Sequence, residues 1–117
     1  MKERLISILD RFCPDNVYLQ GTLNPEVAYP QKFITFFVVE SPFDDYYDND
    51  ANKINWSVNV MFYSDNPREV QIIPPQIIRV LRMEGFMPQG AGTDILSDVK
   101  SHTGWAMEFI YQENYSN

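Results

Sequence analysis

The sequence predicts a small α+β domain: a mixed or antiparallel sheet with two main helices packed on it, in the order α-β-β-β-α-β-β. Three observations carry this reading. Apolar residues recur with a helical period near the N-terminus and again between residues 67 and 84. The segments 32–40, 54–63 and 102–111 are rich in β-branched and aromatic residues, and the last two alternate with a period of two. Clusters of proline, glycine and polar residues separate these stretches. Helices flanking antiparallel hairpins pack most economically as one sheet with the helices on one face.

Residues 2–12 read as an amphipathic helix, because Leu5, Ile8, Leu9 and Phe12 fall on one face. Pro14 ends it. Val17 to Gln20 is a short strand, and residues 21–31, with Pro25 and Pro30 among polar neighbours, are a loop. Lys32 to Glu40, KFITFFVVE, is apolar at odd and even positions alike, which predicts a strand buried on both faces. Either the domain covers both faces or another subunit covers one. Ser41 to Lys53, SPFDDYYDNDANK, is then the exposed connection of a long hairpin. From Ile54 to Tyr63 the alternation is clearest. Ile54, Trp56, Val58, Val60 and Phe62 point to the core; Asn55, Ser57, Asn59, Met61 and Tyr63 point to water or a partner.

A helix starts at Pro67, with Asn66 as cap and Glu69 placed to close a capping box. Pro74 and Pro75 remove two ladder donors and disfavour helical geometry before them, which predicts a kink or break. The helix resumes from about Pro75 to Glu84 with Ile77, Ile78 and Leu81 as its buried stripe, and Gly85 ends it. Residues 86–90 form a weak strand, 90–92 a turn and 96–100 a polar connection. His102 to Tyr111 is the last strand, with Thr103, Trp105, Met107, Phe109 and Tyr111 on one face. The terminal residues 113–117 are polar and are expected to fray.

With 117 residues the chain suits one domain, and 44% apolar against 21% charged residues is an ordinary globular balance. The net charge is −7, from 16 acidic and 9 basic residues. Arg68, Arg79 and Arg82 are too sparse to track a phosphate backbone, so sequence-specific nucleic acid is not an expected partner. The N-terminal segment has charges at both ends of a short apolar stripe and no cleavage site, unlike a signal peptide. No apolar run approaches the ~18 residues of a membrane span. Aromatic residues reach 15%, which fits either a well-filled core or a contact surface rich in Tyr and Trp.

Catalytic constellations are not visible. Cys13 is the single cysteine and His102 the single histidine, so there is no disulfide framework and no multi-histidine metal site. A lone cysteine beside a helix end is ordinarily a small buried hydrophobe, and a lone histidine opening a strand is a surface or hydrogen-bonded residue. Gly90-Ala91-Gly92 lacks the spacing and the lysine of a phosphate loop. The acidic run Asp44, Asp45, Asp48 and Asp50 lacks the turn glycine and final glutamate of a calcium loop, and reads as a solvated acidic surface. No cofactor or metal is expected, and the chain is not expected to be an enzyme.

Several stretches together carry a family resemblance. They are Tyr29-Pro30 through Phe36, the Asp/Tyr-rich loop, Trp56 to Ser64, the Asp65-Asn66-Pro67 turn, Leu81 to Phe86, and His102 to Tyr111. Over residues 29–112 the chain resembles the tail terminator (tail completion) proteins of long-tailed bacteriophages and prophages of Gram-positive bacteria. The pattern is one of aromatics and turns, not of chemical motifs, and the double proline departs from it. The resemblance implies an α+β virion assembly protein that forms a ring, typically hexameric, on the tail tube. Such a ring ends polymerisation and meets the head-tail connector. It implies no catalytic residues. Its implied location is the virion tail, with the bacterial cytoplasm during assembly.

A head-to-tail ring uses two different patches on each subunit. One candidate, facing a ring neighbour or the lumen, is the loop Phe43, Asp44, Asp45, Tyr46, Tyr47, Asp48 and Asp50; the other is the face Asn55, Asn59, Met61 and Tyr63. Two alternatives stay open: a monomeric acidic adaptor from a mobile element, and another neck subunit.

Overall fold

Strand pairing organises the chain around its three longest apolar stretches. A computed structural model of the protein describes residues 1–19, 30–40, 53–96 and 101–114. The elements are α1 (Lys2–Leu9), β1 (Val17–Leu19), β2 (Lys32–Glu40), β3 (Lys53–Ser64), α2 (Pro67–Met83), β4 (Met87–Pro88), β5 (Thr93–Leu96) and β6 (Thr103–Asn114). The fold is α+β, as the sequence predicts, with one strand more than expected. The strands form one sheet in the order β1-β2-β3-β6-β4, and β5 pairs with β6 as well. The β1–β2 pair is parallel and the others are antiparallel.

The alternation read from the sequence sets the register. β2 pairs with β3 from Lys32↔Ser64 to Glu40↔Trp56, and β3 pairs with β6 along its full length. One face of the sheet therefore presents Ile34, Phe36, Val58, Val60, Phe62, Met107 and Phe109, and these join Leu5, Ile8 and Leu9 of α1 and Val70, Ile77 and Leu81 of α2 in one core. Phe36, Phe62, Phe86 and Phe109 are fully buried, each ring contributing about 2 kcal/mol of transfer free energy. The last strand runs to Asn114, so Glu113 and Asn114 belong to the sheet and not to a frayed tail.

Helix ends follow local chemistry, with two corrections. α1 stops at Leu9, not at residue 12. The chain tightens there, Phe12 N–H donating to Leu9 O at 2.9 Å, and Phe12 packs on the core from the turn. At the start of α2, Asn66 Oδ1 accepts from Arg68 N–H, as expected of a cap. Glu69 does not reach back to the Asn66 N–H as in a capping box. That N–H donates to Ser64 Oγ, whose hydroxyl donates to Glu69 Oε2, so a buried serine relays the bond. At the C-terminus Gly85 has φ +96°, Phe86 N–H donates to Leu81 O and Gly85 N–H to Arg82 O. This is a Schellman arrangement with its Leu81 and Phe86 both in the core.

The expected break at Pro74-Pro75 does not occur: α2 is continuous over 17 residues. The physical reason is burial. Pro74 lies on the stripe Val70, Pro74, Ile77, Leu81 and is itself fully buried, so its ring is part of what holds the helix to the sheet. Tertiary packing outweighs a local propensity that disfavours the helix by about 3 kcal/mol per proline. The carbonyls of Val70 and Gln71 are left with no N–H four residues on.

The strand missed in the sequence is β5. Thr93–Leu96 is short and half polar, and it becomes a strand because β6 offers it a free edge at residues 103–106.

Candidate interaction sites

Two surfaces stand out, one on each face of the sheet. The face turned away from the helices is built by the strand residues that alternate with the core. Its cross-strand rows are read from the register. One row is Phe33, Tyr63, Gly104 and Ile95; another is Val39, Ser57, Ile110 and Met87. In the first row Phe33 and Tyr63 stack with centroids 4.9 Å apart, and the Tyr63 ring lies over Gly104. In the second row the two ends are open: Val39 is 47% and Met87 55% exposed. β1 pairs only with Ile34–Phe36, so among the described residues the stretch Phe37–Glu40 of β2 has no strand on that side.

The four residues proposed from sequence for an interface all lie on this face, and they differ in what they offer. Met61 is 6% exposed. Tyr63 is half-buried against Phe33. Asn55 and Asn59 are half-buried, and Asn55 Oδ1 accepts from Gln112 Nε2 at 3.3 Å. Val39 and Met87 are more accessible than any of the four, and the sequence reading missed them. The loop residues Phe43, Asp44, Asp45, Tyr46, Tyr47, Asp48 and Asp50 lie outside the described residues.

On the helix side, α2 and the end of the sheet enclose a cleft of about 840 Å³. One wall is the N-terminal half of α2, including Val70, Gln71, Pro74 and Pro75. The opposite wall is the 90–92 turn with Asp94 and Trp105. The turn is pinned by Trp105, whose Nε1–H donates to Ala91 O at 2.8 Å. Gly92, at φ +101°, allows this approach, because a Cβ there would strike the indole nitrogen. Asp94 sits opposite Trp105 in the β5–β6 register, is exposed, and is the one formal charge in the lining. The signal for this cleft in the sequence was the double proline, read there as a break.

The residues weighed for chemistry occupy structural places. Cys13 is fully buried, and burial pushes its thiol up to about 12, far from a thiolate at neutral pH. His102 is buried, with Nε2 2.8 Å from Pro30 O and Nδ1 2.9 Å from Ser101 Oγ. A carbonyl only accepts, so the ring proton lies on Nε2 and the serine hydroxyl donates to Nδ1. Arg4 joins three elements: its guanidinium donates to the Glu84 carboxylate at 2.7 Å, to Glu84 O at 2.8 Å and to Tyr111 Oη at 3.1 Å. The hydrogen bond from Arg4 holds the Glu84 carboxyl below the usual carboxylate range. Both groups are exposed, so solvent screens the pair and its main effect is to orient α1 against the end of α2.

Among the described residues no helix is long and apolar enough to cross a membrane, and no three His, Cys, Asp or Glu side chains gather as a metal site. Neither a known protein family nor a curated protein matches the chain.

Proposed function

We propose that the protein is a structural subunit of a phage or prophage tail, a terminator that caps the tail tube as a ring, ends its polymerisation and joins it to the head connector. The supporting observation is the sheet face opposite the helices. It carries a cross-strand row from Val39 to Met87 whose apolar ends are exposed, beside a β2 edge with no described neighbour. Side chains of this kind gain most when a neighbouring protein removes them from water. A net charge of −7 suits a ring through which DNA slides without adhering. The partners are further copies of the chain, the tube protein and the connector, and the work is binding, without covalent chemistry.

The test is assembly. The purified chain is mixed with the tube protein from the same genome while tubes grow, and lengths and ends are read by negative-stain microscopy. Bounded tubes with a ring at one end are expected from the unaltered protein. The double variant Val39→Glu/Met87→Glu should keep its circular dichroism and melting temperature and lose both effects. Tubes unaffected by the unaltered protein would remove the proposal, and a chain that stays monomeric beside them would point instead to the acidic adaptor.

A further inference from the structure

The cleft beside α2 has three properties that together define an occupant. Its first is an open strand edge. Among the described residues β5 pairs with β6 and with no other strand, so its outer side along Thr93–Leu96 has no strand partner there. Its second is a single negative charge. Asp94 is exposed, is the one formal charge in the lining, and has no hydrogen-bond or ion-pair partner among the described residues. On the far wall, Trp105 Nε1–H is already committed to Ala91 O. Its third is an apolar and aromatic lining, formed by the two proline rings, Val70 and the Trp105 indole. A single negative charge, an indole face and apolar walls are complementary to a cation carried on an aliphatic stem.

Strand geometry states how such a group arrives. Asp94 pairs with Trp105, which lies on the helix face of the sheet with Met107 and Phe109. A strand added beyond β5 continues the same pleat, so every second side chain on it points toward α2. We propose that β5 and the cleft together bind an extended protein segment carrying lysine or arginine, the segment adding to the sheet at Thr93–Leu96 and its basic side chain entering beside Asp94. Backbone pairing supplies affinity, and the cleft selects the side chain. This rests on the reading of the protein as a docking subunit, but not on which particle it docks to.

The experiment uses the full chain and three fluorescein-labelled peptides. The first alternates valine with arginine, the second replaces arginine with glutamate, and the third is the arginine peptide with alternate backbone nitrogens methylated. Binding is followed by fluorescence anisotropy, and the site is mapped by amide and indole NMR shifts. The arginine peptide should bind and perturb Thr93–Leu96 and the Trp105 indole, and the other two should not bind. Asp94→Asn, an exposed and near-isosteric change, should weaken binding by about tenfold or more, the effect of losing one charge-assisted hydrogen bond. Equal binding of arginine and glutamate peptides, binding that survives methylation, shifts elsewhere on the molecule, or no binding at all would each overturn the proposal. Peptide binding without tube capping would remove the tail reading and leave this one; capping that persists without peptide binding would do the reverse.

Discussion

Tyr63 and Gly104 face each other across β3 and β6, and the phenol ring occupies the space a side chain at 104 would need. A Cβ on Gly104 would come within 2.7 Å of two Tyr63 ring carbons and 2.9 Å of Ile95 Cγ1. The absent side chain is thus what lets Phe33, Tyr63 and Ile95 form a continuous row over the helix-free face.

Gly104→Ala should therefore destabilise the protein by about 1–3 kcal/mol, the usual cost of overpacking. Urea unfolding followed by tryptophan fluorescence measures it. Unchanged stability would show that the row does not confine the glycine.

The two helical prolines should respond differently to alanine. Pro75 is exposed, so Pro75→Ala restores an N–H for the Gln71 carbonyl and removes little packing. It should stabilise the protein by about 1–2 kcal/mol, after allowing for the freer unfolded chain. Pro74→Ala restores a donor to Val70 but empties a buried position, so it should gain less than Pro75→Ala or lose stability. Thermal denaturation of the two variants decides the ordering, and the reverse order would mean that Pro74 is not held by its packing.

Alkaline stability should follow Cys13. Its thiol titrates near 9.0 when free and is pushed up to about 12 by burial, so in this window the unfolded state has lost the proton that the folded state keeps. The stabilisation is complete below about pH 9 and is lost as pH rises toward about 12. Cys13→Ala should flatten this part of the pH profile, at the cost of a lower plateau from the vacated volume. Labelling with a disulfide reagent at about pH 8 should be slow in native protein and track unfolding in urea. Rapid labelling of the native protein would contradict the burial.

The long strands were legible because their chemistry repeats along the chain. The alternation of Ile54 to Tyr63 names its core face without reference to any partner, and the register with β6 repeats it. Asn66, Pro67 and Gly85 likewise mark the ends of α2 through backbone requirements that are local. The Ser64 relay to Glu69 was not legible, because it needs the end of β3 to lie against the first turn of α2. The candidate interface residues were legible only as a face: Asn55, Asn59, Met61 and Tyr63 share one side of β3, but which of them is accessible depends on Phe33 and its neighbours from other strands.

By itself the sequence determined the α+β class, the core faces of β3 and β6 and the ends of α2, because each depends on the period or the backbone limits of adjacent residues; for β2 it predicted burial on both faces, whereas Val39 on the outer face is exposed. The tertiary structure alone decided that a helix runs through Pro74-Pro75, that Thr93–Leu96 is a strand and that a cleft with a lone carboxylate lies between them. Those outcomes depend on free energy gained between segments far apart in the chain. A buried proline ring and an available strand edge change the local preference, and neither is visible until the sheet has formed.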